Sequence, residues 1–366
     1  MRLRPRLSPV INRFLGAQFF GPLIVCLAAF TAAYLLGDMF DRFNDLIRYG
    51  GLGLLGLEYF ALKIPLIVSQ VLPVACLAGV LLGFAILNRS GEVLACQQLG
   101  ISRLEMAVPV LMIAIVVSLF DFALSETLVP MATREARYLY EVELKKREMR
   151  GVFADRRIWV RLQNGFASAD TYDRRRATLH GVTVYRLDDA YNLKDIVHAH
   201  SALWKTDHWQ PEGLSTFAVA RNGAVSSDAQ GRLRLGLKPA DFNELRLNPE
   251  EFSLWQLDDY IKDLQRKGLD PGGYLVDRDL KFAMPLACLI MVALGMALSL
   301  DPLPRNFSLG RSFGLAILIG FGYWLAFGVT SSLGHSDVLA PWLAAWLPNA
   351  TFALITLSIF LLGEEH

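Results

Sequence analysis

Gly310-Arg311-Ser312-Phe313-Gly314 has the G-x-S-x-G spacing that can expose a nucleophilic serine on a sharp turn. That turn needs a β-strand before the serine. Here an apolar run starts at the serine instead, so Ser312 suits a helix cap better than a nucleophile. His198 and His200 would share one face of a strand, and His208 follows. A metal centre needs further ligands at fixed spacing, so these read as exposed strand histidines. The four cysteines, Cys26, Cys76, Cys96 and Cys288, form no metal-binding pattern. Three sit in apolar runs and Cys96 in a short loop, as small packing residues do. No Gly-Lys pair occurs in the chain, which excludes a phosphate-binding loop of the nucleotide-hydrolase kind. If ATP drives this protein, a partner hydrolyses it.

Charged residues near apolar runs are the next candidates. Asp121 lies within one, and an acid there is a functional candidate by default. At ~1.5 Å per residue it stands ~25 Å from the start of its run, which points to an acid at the far interface. Arg174-Arg175-Arg176, near Arg156-Arg157, could meet anionic head groups, although a solvated turn explains the run as well. Residues 89–103 read as a brief ordered helix. Ser90 or Gly91 can cap it, Glu92 stands in the first turn where the helix dipole favours an acid, and Gly100 ends it. Val93, Cys96 and Gln97 share one face, with Leu94 and Gln98 on the next. The pattern suits a docking element for another protein, or a helix lying on lipid.

The elements that must position these residues are membrane spans. The chain has 366 residues, 53% of them hydrophobic and 19% charged, with a mean hydropathy of +0.35. That is too apolar for one soluble domain and too charged for a bare helical bundle. The net charge of +1 argues against nucleic acid as a partner. Residues 1–126 hold three apolar runs, 14–37, 64–88 and 104–124, each long enough to cross a bilayer. Arg2, Arg4, Arg6 and Arg13 place the N-terminus in the cytoplasm. Asp38, Asp41, Arg42, Asp45 and Arg48 then form a loop with the Gly-rich stretch 50–56. The second run contains Pro65 and Pro73, and a Gly79/Gly83 step that could admit a neighbouring helix. Residues 281–366 hold three more runs, 282–300, 312–334 and 338–363. Both termini then lie in the cytoplasm, and the long polar insert lies outside it.

Within the insert, mixed charges over 127–150 suggest a solvated helical extension. From 151 to 250 the period shortens to that of strands, at 158–162, 181–187, 217–219 and 233–237. Turn signals separate them, among them Gln163-Asn164-Gly165, Asp188-Asp189, Pro211-Glu212-Gly213 and Arg221-Asn222-Gly223. This predicts an all-β sandwich or jelly roll. Residues 251–280 follow as an amphipathic connecting helix. Ser253 and Gln256 form its capping box, Leu254, Leu257, Tyr260, Ile261 and Leu264 its apolar face, and Gly268 its end. The predicted fold is a polytopic α-helical membrane protein: six transmembrane helices with an inserted periplasmic all-β, jelly-roll-like domain.

The order of these features resembles the LptF/LptG family of lipopolysaccharide export permeases. The resemblance rests on Gly91-Glu92 through Gly100-Ile101-Ser102 after Leu72-Pro73 and Gly79 to Gly83. It continues in residues 254–268, in Lys281-Phe282-Ala283-Met284-Pro285-Leu286 and in Leu347-Pro348-Asn349-Ala350. It covers essentially the whole chain, and the compact C-terminus is closer to the LptG branch. The resemblance implies a non-catalytic permease subunit in the bacterial inner membrane, multi-pass, with its β domain in the periplasm. The implied partners are a cytoplasmic ABC ATPase dimer (LptB-like), a second permease (LptF-like), a single-span bridging protein (LptC-like), a periplasmic carrier (LptA-like) and lipopolysaccharide. This chain would bind no cofactor, with ATP and Mg used by the partner ATPase. Residues 90–100 would be the coupling helix, with Arg89, Glu92, Leu94, Gln97, Gly100 and Ile101 meeting the ATPase. Members often carry lysines at the outer end of the first span and early in the second. Here Asp38, Asp41 and Arg42 stand at the first place and Leu66 follows Pro65 at the second. Phe30, Tyr34, Asp38, Arg42 and Arg48 are then the expected lipid contacts. The rival expectations are a membrane-anchored periplasmic binding scaffold and a lipoprotein-release-type permease.

Overall fold

The structure, a computed structural model, describes residues 9–48, 53–144, 151–154, 157–162, 165–173, 177–188, 192–205, 208–219, 225–228, 248–266, 270–299 and 309–364. The chain divides into two compact units, residues 1–139 with 249–366, and residues 140–248.

The first unit is helical. In chain order it contains α1 (Pro9–Arg48), α2 (Leu54–Ser90), α3 (Glu92–Gln98), α4 (Arg103–Glu126), α5 (Leu128–Tyr138), α6 (Leu254–Arg266), α7 (Gly272–Ser299), α8 (Leu309–His335) and α9 (Pro341–Glu364). Six helices among the described residues are long and apolar enough to cross a membrane. α1 corrects the expected loop at 38–48, because it runs on as helix to Arg48. No proline interrupts that stretch, and Asp38 and Arg42 support it as an i,i+4 ion pair at 3.5 Å. α2 likewise begins ahead of the expected span, at Leu54, and keeps Pro65 and Pro73 inside it. α4 starts from a capping box the sequence reading missed: Ser102 Oγ accepts from the Glu105 amide, and Glu105 accepts from the Ser102 amide.

Packing centres on α2, which contacts α1, α7 and α8; α7 also packs on α4 and α9. The expected Gly79/Gly83 step is where α1 comes closest. A Cβ on Gly79 would lie 2.9 Å from Leu23 Cα, and one on Gly83 would strike the Gln18 carbonyl. Small residues there let two backbones approach and gain dispersion contacts that lipid cannot supply. Polar side chains link the other helices. Around Pro285, inside α7, the Ala283 carbonyl accepts from Asn349 Nδ2 at 2.6 Å and the Pro285 carbonyl from Ser118 Oγ at 2.7 Å. Tyr323 Oη donates to Asn349 Oδ1 at 3.0 Å, which orients the amide.

Asp121 departs from expectation. It is fully buried, with the Ser69 side chain of α2 beside it. Asp121 does lie near the C-terminal end of α4, but its rotation about the helix axis was not considered. Met106, Val110, Ala114, Val117 and Asp121 form one face at helical spacing, and that face is buried. Ser312 is not a nucleophile on a turn: α8 begins at Leu309, and Ser312 is buried within its first turns.

The second unit is an antiparallel sheet of β1 (Gly151–Ala154), β2 (Arg157–Leu162), β3 (Gly165–Ala169), β4 (Thr171–Asp173), β5 (Thr178–Leu187), β6 (Leu193–Lys205), β7 (His208–Val219) and β8 (Val225–Asp228). Neighbours follow chain order, except that β3 and β4 both pair with β5. The described strands therefore form a meander. Val184 faces Val197, Val182 faces Ala199 and Leu179 faces Ala202, and these six side chains with Trp209 belong to one buried cluster. The expected strands at 158–162, 181–187 and 217–219 are present. The one at 233–237, the triple arginine 174–176 and the turn at 221–223 lie outside the described residues. Pro211-Glu212-Gly213 is not a turn: it lies inside β7, with Pro211 opposite Ala202. Gly213, at φ +66, marks a local irregularity in that strand.

Candidate functional site

Two clusters lie at opposite ends of the helical unit. The first is built on α3. Gly91, at φ +79, ends α2 and caps α3 in the same residue. At the other end the amides of Gly100 and Ile101 donate to the carbonyls of Gln97 and Cys96, at 2.9 and 3.1 Å. This double bond pattern with Gly100 at φ +79 is a Schellman stop, so α3 is a rigid seven-residue element. Val93 is buried and anchors it, with Cys96 and Ile101 packed against the same core. Leu94 and Leu99 are exposed, Leu99 at 78%. Gln97 is half-buried. Glu92 is half-buried too, and its Oε2 is shielded without a hydrogen-bond partner among the described residues. Arg89, expected in the turn, is exposed in the last turn of α2.

The second cluster lies at the end where α1 and α4 finish and α2 and α7 begin. α1 presents Tyr34, Asp38 and Arg42 at i, i+4 and i+8, and α2 presents Tyr59 and Lys63 at i and i+4. Lys63 Nζ donates to both oxygens of Asp38, at 2.7 and 2.6 Å. Arg42 Cζ and Lys63 Nζ each lie 5.4 Å from the centre of the Tyr59 ring, whose face attracts cations. Two turns along α2 from Lys63, Gln70 Nε2 donates to Glu250 Oε1 at 3.3 Å. Burial pushes the Glu250 carboxyl up from its ordinary value, and Lys63 opposes that rise.

Further ion pairs surround this group. Lys281 Nζ lies 3.4 Å from Glu126 Oε1, while Glu126 Oε2 accepts from the Leu254 amide at 2.7 Å and so caps α6. The expected Ser253–Gln256 capping box is formed there as well. All five predicted apolar residues of α6 are buried. Arg137 Nη1 donates to both oxygens of Glu251 at 3.0 and 3.1 Å, and Arg134 Nε to the Glu251 carbonyl at 2.7 Å. His335 Nε2 meets Asp277 Oδ1 at 2.9 Å.

Of the expected lipid contacts, the structure brings Tyr34, Asp38 and Arg42 together. Phe30 lies apart, stacked on Phe313 of α8 with centroids 6.0 Å apart. Arg48 ends α1, and its side chain lies outside the described residues. Sequence reasoning missed Lys63, Glu126, Glu250 and Lys281. Lys63 could have been found as a cation inside an otherwise apolar helix; attention to the position after Pro65 passed over the lysine two residues before it. No group of metal-binding residues occurs among the described residues, and His198 bonds Thr183 Oγ1 at 3.0 Å.

A family model described as lipopolysaccharide export system permease LptF/LptG matches residues 13–362. The lipopolysaccharide export system permease protein LptG of Escherichia coli (strain K12) is 25% identical over 359 residues, covering 95% of this chain and 97% of that protein. The protein of the same name from Haemophilus influenzae is 20% identical over 337 residues, covering 90% and 91%.

Proposed function

The chain belongs to the lipopolysaccharide export permease LptF/LptG family, and we propose that it is one of two paired permease subunits of an ATP-driven complex that lifts lipopolysaccharide out of the bacterial inner membrane. A cytoplasmic ABC ATPase dimer docks on α3. Lipopolysaccharide enters beside α1 and α2, and a lipid A phosphate meets Lys63 at the Tyr59 ring, with Arg42 beside it. It leaves through the β unit toward a single-span bridging protein and a periplasmic carrier. ATP and Mg act in the partner ATPase.

The observation that carries this reading is α3. A seven-residue helix fixed at both ends by glycines, anchored by Val93 and showing Leu94 and Leu99 to the outside, is built to transmit force from a docked protein. Its half-buried Glu92 oxygen is a costly acceptor until a donor arrives from outside the chain. At the other end, two cations bordering one aromatic ring suit a phosphate, because charge-assisted bonds to phosphate are the strong ones. The test is Glu92→Arg in the whole complex. The expected result is loss of ATPase co-purification or of coupled turnover, with membrane insertion intact. Normal transport by the variant would contradict docking at α3.

A further inference from the structure

Asp38 is, we propose, an internal competitor that makes the Lys63 site selective for phosphomonoesters over phosphodiesters, an inference that rests on the lipid reading above. The geometry leaves Lys63 no idle state. Both carboxylate oxygens of Asp38 are on its Nζ, and the two side chains are each only 15% exposed. A second carboxylate, that of Glu250, also faces Lys63 from the segment Pro249–Glu251. An incoming anion must therefore displace Asp38 and tolerate Glu250.

Charge decides which anions can do so. A glycerophospholipid such as phosphatidylglycerol carries a phosphodiester with one negative charge, the same as the carboxylate it would replace. The exchange gains nothing at Lys63 and sets Asp38 against a new like charge nearby. A phosphomonoester carries about −1.5 to −2 charges near neutral pH and three acceptor oxygens. It outcompetes one carboxylate for a lysine that is partly withdrawn from water, where pairing is stronger than at an open surface. The displaced carboxylate has a receiver. Arg42 stands one turn further along α1, with Nε already 3.5 Å from Asp38 Oδ1. Asp38 passes from Lys63 to Arg42, and Lys63 takes the phosphate. The sequence supplies this handover by placing Asp38 and Arg42 four residues apart on one helix and Lys63 on the next.

The test uses the whole complex in nanodiscs containing equal amounts of bisphosphorylated lipid A and phosphatidylglycerol, with retained lipid measured by mass spectrometry. The wild type should retain lipid A. Asp38→Asn should raise phosphatidylglycerol retention relative to lipid A by about tenfold, while Asp38→Glu, which keeps the competing charge, should hold the wild-type ratio. An unchanged ratio in Asp38→Asn, or the same loss of selectivity in Asp38→Glu, would overturn the inference. Lys63→Ala separates this from the underlying reading. If it retains lipid A at the wild-type level, the lipid site is misplaced and the inference falls with it. If it loses lipid A while Asp38→Asn leaves the ratio unchanged, the site stands and only the selectivity claim fails.

Discussion

Single residues at the Lys63 end show what a low-dielectric setting does to charge. Glu250 is the clearest case. Burial raises its carboxyl above the ordinary value of 4.5, so the fold holds this proton more tightly than the unfolded chain does. The sign follows. The unfolded chain gives up this proton near 4.5, while the fold keeps it to a higher pH. The stabilising contribution is present below that value and is lost as pH rises through the folded one. Glu250→Gln should therefore weaken the fall in stability above about pH 4.5, read as melting temperature against pH in detergent. A variant with the wild-type slope would place the titration elsewhere. The Lys63–Asp38 pair could not be read from sequence, because its partners are 25 positions apart. Their meeting depends on the register of two antiparallel helices, which no local pattern encodes. The same holds for Gln70 and Glu250, 180 positions apart.

Helices and strands were more legible where the cause is local. α3 is bounded by glycines that adopt positive φ, and α6 by a capping box with a five-residue apolar face; both follow from spacing alone. α1 was underestimated because a cluster of charges looks like a loop, whereas nothing in 38–48 stops a helix. Asp121 was misplaced because its depth is set by position in the run but its burial by rotation. Two variants probe the elements. Gly100→Val puts a β-branched side chain at φ +79, which should cost about 1–2 kcal/mol and loosen α3. Its expected signature is reduced coupling of ATP hydrolysis to transport with the helical bundle still folded. Gly83→Leu drives a side chain into the Gln18 carbonyl. It should destabilise the α1–α2 contact by roughly 1–3 kcal/mol, visible as a lower melting temperature of the purified complex. Wild-type melting would mean that α1 is not held against α2 at this step.

At the scale of the whole molecule, the chain divides its work between a helical unit made from both ends of the sequence and a sheet made from the middle. The positive-inside pattern leads us to propose that this sheet faces the periplasm. A cysteine at exposed Lys194 should accordingly react with a membrane-impermeant maleimide added from the periplasmic side, and labelling only after the inner membrane is opened would reverse the topology. The central claim is that lipopolysaccharide travels beside α1 on its way out. The most direct measurement is a photo-crosslinking amino acid at Tyr34, which is 45% exposed and shares a face of α1 with Asp38. Illumination in cells should capture lipopolysaccharide at this position. Capture of phospholipid alone would contradict the account.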